Sequence, residues 1–397
     1  MPKFNRGHLS DLRGAVSLAV DATVGITDLV EKMHHTIQLK HPPLGASRAD
    51  VTRGLTGFIY RRIRATTHLV GRGLDAGLTP LEAFLSEASS TAKRETVVSA
   101  INGVFGDHLA QTHNPLAQDM SFWFNHQPLE PECSTLATSD AGSPALTGKL
   151  MLLIHGLCLN EGHWAQGGRN QAHELAIRLG FTPVYLRYNT GMSISANGRA
   201  FSDRLESLVQ HWPVPVNELG IIGHSMGGLV ARSAAYYGRL AAHGWLNQLN
   251  TMVFLGTPHH GAPLERGGAW LERAMGLSPY VVPFVRLGKT RSAGINDLHH
   301  GSVTDTAQEF VQLPESVTCY AIAASLATQA DTMQNRMKDR LLGDGLVPVD
   351  SALGRSVDDS RFLAIPEERQ WIGFKMGHLE LLSHPGVYAQ LHDWLQT

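Results

Sequence analysis

Apolar residues recur along the first part of the chain at intervals of three and four. They fall at Leu12, Val16, Ala19, Val20, Val24, Val30, Met33 and Ile37. After the break at His41-Pro42-Pro43-Leu44-Gly45 they return at Val51, Leu55, Phe58, Ile59, Ile63, Leu69, Val70 and Leu74. That spacing predicts two helices. Thr79-Pro80-Leu81-Glu82 reads as a capping box with proline in the first turn. Val97, Val98, Ile101, Val104 and Phe105 predict a further helix over residues 91–109.

The pattern changes at Lys149. Leu150-Met151-Leu152-Leu153-Ile154 is a continuous apolar run, as expected of a parallel strand covered on both faces. Similar runs follow at 183–188, 219–222, 251–255 and 317–322, with two short ones at 361–365 and 370–374. Helical stretches near 171–179 and 198–210 lie between them. Strand and helix alternate, which predicts an α/β fold with a doubly wound, mostly parallel sheet. Residues 114–148 carry Pro115, Pro128, Pro131 and Pro144 among several Ser and Thr, and read as a linker. The expected organisation is a helical unit over 1–113, a linker over 114–148 and an α/β domain over 149–397.

Within the third strand of that domain the chain reads Ile221-Ile222-Gly223-His224-Ser225-Met226-Gly227-Gly228, and a small-residue helix follows. A strand–G-x-S-x-G–helix sequence makes a turn so tight that its central serine is strained and its hydroxyl stands clear of the sheet. The N–H of Met226, at the helix start, then points where an oxyanion would form. A serine needs a histidine to take its proton and a carboxylate to orient that histidine. His378, in Lys375-Met376-Gly377-His378, follows the last strand, whereas His384 precedes a proline and His392 sits inside the last helical pattern. Asp344, between Gly343 and Gly345, is the best-placed acid. Asp331 and Asp339 lie in a helical-looking run, and Asp350 and Asp358 in an ordinary loop. After the first strand, His155-Gly156-Leu157 offers the N–H of Leu157 as a second oxyanion donor, with His155 structural and Cys158 a small apolar side chain.

The Gly-His-Ser-Met-Gly-Gly elbow, the His155-Gly156 loop, Gly256-Thr257-Pro258-His259-His260-Gly261 and Gly343-Asp344-Gly345-Leu346-Val347-Pro348 together resemble the α/β-hydrolase lipases and esterases, in particular their bacterial PGAP1-like branch. The resemblance covers residues 149–397. It implies Ser225 as nucleophile, Asp344 as acid, His378 as base, and Leu157 and Met226 as oxyanion donors. It also implies carboxylic-ester hydrolysis through an acyl-enzyme, on small-molecule or lipid esters. Acyl transfer, thioester cleavage and polyester depolymerisation would use the same residues. A non-catalytic interaction protein acting through the helical unit is the reading from another class.

An insertion at about 261–310 is too long for a simple crossover. Its apolar residues, Trp270, Met275, Tyr280 and Phe284 among them, predict a cap over the cleft that binds the acyl chain. The chain's 43% hydrophobic and 17% charged residues describe a globular protein with a large core, and a net charge of −2 gives no nucleic-acid footprint. With three cysteines no disulfide framework is expected. No His-Glu-x-x-His or Cys-x-x-Cys pattern occurs among the 21 histidines, so neither metal nor cofactor is expected. The start lacks the apolar run of a secretory signal, which predicts a cytoplasmic protein. Arg53, Arg61, Arg62, Arg64 and Arg72 line the second helix. They read as a solvated face, with peripheral contact to a membrane or lipid surface as the alternative.

Overall fold

The apolar runs of the second pattern assemble into one sheet because each exposes its backbone groups to neighbours on both sides and its side chains to both faces. The computed structural model of the protein describes residues 13–21, 23–24, 27, 31, 60–65, 67–68, 92–129, 146–262, 292–306, 310–328 and 343–396. Its strands are β1 (Ser121–Phe124), β2 (Gln127–Pro128), β3 (Lys149–Ile154), β4 (Thr182–Arg187), β5 (Glu218–His224), β6 (Leu249–Leu255), β7 (Thr318–Ser325) and β8 (Gln370–Phe374). Among the described residues they form an eight-stranded sheet of order β2-β1-β4-β3-β5-β6-β7-β8. From β4 to β8 every pairing is parallel, and the β1–β2 hairpin adds antiparallel to the edge of β4.

Alternate side chains of the central strands feed two cores. On one face Leu150, Leu152, Ile154, Ile221 and Phe254 meet α1 (Ala92–Gln111), α3 (Ile194–His211) and α4 (Met226–Leu240) through Ala100, Val104, Phe201, Leu205, Leu229 and Val230. On the other, Met151, Leu153, Ile222, Val253 and Leu255 meet α2 (Gln171–Arg178) and the last helix (Pro385–Leu395) through Leu175, Ala176, Val387 and Leu391. A continuous apolar run is therefore required, since neither face of these strands meets water.

Two boundaries differ from the expectation. The chain divides into one unit of residues 1–91 with 109–117 and a second of 92–108 with 118–397. Most of α1 thus belongs with the sheet rather than with the helical unit. Its Glu95 pairs with Arg187 at the end of β4, and Arg187 also binds Glu161 and lies over the Trp123 ring. The expected linker contains β1 and β2, joined through Asn125 and His126, both at positive φ (48° and 62°), the geometry of a tight two-residue hairpin. The apolar run at 361–365 forms no strand; Leu363 and Ile365 are buried from a loop.

In the first unit residues 13–21 and 60–65 are helical, and Arg64 pairs with the buried Glu31. Most of the expected cap insertion, including Trp270, Met275, Tyr280 and Phe284, lies outside the described residues. So does Cys133, whereas Cys158 and Cys319 are free and buried. No described helix is long and apolar enough to cross a membrane.

Candidate active site

The chain leaves β3 for β4 on one side and resumes at β5 on the other, so the loops after β3 and β5 part at the carboxyl edge of the sheet. Open α/β sheets form their clefts at such a reversal. Ser225 stands there, between the last residue of β5 and the first of α4. Its φ of 55° and ψ of −123° are strained for a residue with a side chain. The strain is held by both neighbours: the Ser225 N–H donates to Leu255 O at 2.8 Å, and Ser225 O accepts from the Gly228 N–H at 3.1 Å. Met226 is the first helical residue, so its N–H has no acceptor within α4.

The loop after β3 closes against the elbow from the other side. A Cβ on Gly156 would lie 2.9 Å from Ser225 Cβ and 3.1 Å from His224 Nδ1, so only glycine permits this approach. The cleft is lined by Gly156, Leu157 and Leu159 from that loop, by His224 and Ser225, and by His378 and Leu379 from beyond β8.

His378 and Asp344 come together although 34 residues separate them. His378 Nδ1 donates to Asp344 Oδ2 at 2.7 Å, with both side chains almost fully buried. Because the carboxylate can only accept, the imidazole proton sits on Nδ1 and Nε2 keeps its lone pair. The other carboxylate oxygen of Asp344 accepts the N–H groups of Leu346 (2.9 Å) and Val347 (2.8 Å), which fixes its direction. The His378 loop is tied to the end of β7, as Met376 N donates to Ser325 O at 2.9 Å and Lys375 N to Ala327 O at 2.9 Å. Gly256, after β6, lies beneath the ring: a Cβ there would be 3.1 Å from His378 Cε1.

The rivals stand elsewhere. His384 caps the last helix by accepting from Gly386 N, and His392 is a half-buried residue within that helix. Asp350 opens a short helix, and Asp358 is exposed and bonded to Ser360. Asp331 and Asp339, like the four expected cap residues, are outside the described residues.

Sequence reasoning missed His224. Its Nε2 donates to the backbone O of His378 at 3.2 Å, and the two rings lie 4.8 Å apart. Burial, reinforced by the charge His378 would carry, holds His224 neutral, well below the usual histidine range. The signal was its position beside the serine, but nothing local says what the ring will reach. His155 is also buried and neutral, pushed down to about 4 by desolvation. Burial raises the Cys158 thiol well above its ordinary value, in keeping with an apolar role.

Residues 145–312 match the family model of the PGAP1-like alpha/beta domain. No curated protein matches the chain in sequence. Among solved structures, a Bacillus licheniformis lipase in mature form is similar over 65% of this chain and 96% of its own, at 16% identity and a TM-score of 0.44. A Pyrococcus furiosus esterase is similar over 63% of this chain and 81% of its own, at 13% identity and a TM-score of 0.37. An α/β hydrolase superfamily protein from Enterococcus faecalis is similar over 62% and 90%, at 17% identity and a TM-score of 0.33. The family match covers the elbow and the strands that support it, and the strand order places that elbow at the sheet's reversal. Over residues 145–312 the chain is therefore similar to the PGAP1-like alpha/beta domain, and the described part of that stretch supplies β3 to β6 of the mostly parallel sheet.

Proposed function

We propose that this protein is a serine hydrolase that cleaves carboxylic esters through an acyl-enzyme. The observation that carries the reading is the strained Ser225 in one cleft with a buried His378–Asp344 pair, bonded at 2.7 Å so that the imidazole Nε2 is left free. Ser225 Oγ attacks the ester carbonyl carbon as His378 Nε2 takes its proton. Asp344 stabilises the imidazolium and keeps its own charge. The N–H groups of Leu157 and Met226 receive the oxyanion. Collapse expels the alcohol, which leaves with the proton from His378. Water then attacks the acyl-enzyme by the same steps in reverse order of roles, releasing the acid and restoring Ser225.

The cleft walls Leu157, Leu159 and Leu379 favour an apolar acyl group over a charged one. On the sequence pattern we assign Trp270, Met275, Tyr280 and Phe284 to the acyl site as well. A fluorophosphonate probe and a series of p-nitrophenyl esters test the function. Ser225→Ala should abolish labelling and lower turnover by about four orders of magnitude or more, with His378→Ala close behind and Asp344→Asn somewhat milder. Labelling of Ser225→Ala at the wild-type rate, or wild-type kcat in Asp344→Asn, would overturn the assignment.

A further inference from the structure

Gly156 is where the Leu157 donor is aimed, and glycine by itself aims nothing. Its lack of a side chain lets the loop approach Ser225, yet leaves the two flanking peptide planes free to rotate. In the folded chain both planes are clamped by one pair of buried side chains. The His155 carbonyl accepts the Tyr188 hydroxyl at 2.8 Å. The Gly156 carbonyl lies 3.0 Å from His155 Nδ1 and accepts a second, longer bond from Leu159 N at 3.2 Å. The His155 and Tyr188 rings stack at 4.5 Å and 20°, so each holds the other in place.

The Gly156 carbonyl and the Leu157 N–H belong to one planar trans peptide and point in opposite directions. Whatever grips the carbonyl therefore sets the direction of the N–H. A carbonyl only accepts, so His155 must carry its proton on Nδ1. Nε2 then holds a lone pair, and that atom is buried without a partner. An unsatisfied buried nitrogen costs stability that a phenyl ring stacked on Tyr188 would not. The imidazole is thus explained by its Nδ1 proton rather than by packing. The ring itself is not part of the cleft lining, so it acts through the peptide and not on a substrate.

We propose that His155, braced by Tyr188, is a positioning residue that turns the Gly156–Leu157 peptide so that the Leu157 N–H faces the oxyanion. The inference rests on the serine-hydrolase reading above. Its signature is a loss confined to the tetrahedral state, because a planar ester makes little use of that donor.

The test compares His155→Phe, which keeps the stack and removes the donor, with His155→Asn, whose amide nitrogen falls near the position of Nδ1. Tyr188→Phe removes the other clamp while keeping the stack. Each is assayed for kcat and KM on p-nitrophenyl butyrate, and for inhibition by an alkyl trifluoromethyl ketone, which forms a tetrahedral oxyanion adduct on the serine. For His155→Phe we expect kcat to fall about 10- to 100-fold with KM changed by less than about twofold, and the ketone to bind weaker by the same factor. His155→Asn should recover most of the loss, and Tyr188→Phe should show the same paired loss at smaller size. Wild-type kcat in His155→Phe or in Tyr188→Phe, a loss of kcat with ketone affinity intact, or an Asn variant no better than Phe would overturn the proposal. If His155→Phe does not fold, the Asn and Tyr188→Phe results decide it. Failure of the underlying reading looks different, as wild-type enzyme would then ignore the ketone and Ser225→Ala would stay active.

Discussion

Replacing Gly227 with alanine inserts a methyl group into the seam between the elbow helix and strand β3. The new Cβ would lie 2.6 Å from the His155 carbonyl oxygen, and closer still to that of Ile154. Both obstacles are backbone atoms at the carboxyl end of a central strand, so neither can rotate aside. Relief requires α4 and the end of β3 to part by roughly half an ångström, the shortfall from a tolerable contact in a close-packed interior. Overpacking of this kind costs about 1–3 kcal/mol, offset by up to about 1 kcal/mol because alanine favours helix. The larger effect should fall on rate. The two proposed oxyanion donors, Leu157 N–H and Met226 N–H, sit on opposite sides of that seam. A 1 Å misplacement at a reacting centre can cost about 100-fold, so half of that should lower kcat by about tenfold or more. Steady-state kinetics on p-nitrophenyl butyrate alongside thermal melting reads both quantities. Gly238→Ala is the control, since it lies on the same helix, where its Cβ would meet Ser202 Oγ at 2.7 Å and the Trp245 ring at 3.0 Å, away from the cleft. It should lose stability and keep kcat. Wild-type kcat in Gly227→Ala, or the same loss of kcat in Gly238→Ala, would refute the reasoning.

Acid should destabilise the fold by forcing charge onto buried histidines. His155, His224 and His259 are buried and held neutral by desolvation, whereas in the unfolded chain each takes up a proton near pH 6.5. The folded values are depressed, so stability is complete above about pH 6.5 and is lost as pH falls toward the folded value. For His155, whose folded value is about 4, the loss reaches about 3 kcal/mol by that pH. Urea midpoints between pH 7.5 and 4.5 should fall, and less steeply in His155→Phe; a flat profile would contradict the assignment. A fragment starting at residue 139 keeps every proposed active-site residue but loses all of α1 and the β1–β2 hairpin. With Glu95, Ala100, Val104, Phe122 and Phe124 removed from the ion pair and the core, it should elute as aggregate in size-exclusion chromatography. A monomeric fragment with a cooperative melt would show that the edge is dispensable.

The division between what sequence determines and what folding decides follows the range of the forces involved. The runs at 150–154 and 251–255 were legible because a strand buried on both faces must be apolar at every position. The elbow was legible because its glycines answer to a strained turn only a few residues long. Asp344 and His378 were legible as candidates from chain order, but their bond at 2.7 Å depends on how loops beyond β7 and β8 meet. The helix at 92–111 was legible as a helix, yet its apolar stripe could not say what it would cover. That was settled by Arg187 and the β3 loop, far along the chain. The β1–β2 hairpin lay in a Pro- and Ser-rich stretch that looked like linker; the alternation of Phe122 and Phe124 before Asn125-His126 was the faint local sign. The run at 361–365 looked like a strand because burial and strand pairing leave the same apolar mark, and only the ladder separates them. Most of all, His155 gave no sign of its partners. A ring's hydrogen bond is set by tertiary neighbours such as Tyr188, and no periodicity along the chain records where those neighbours will stand.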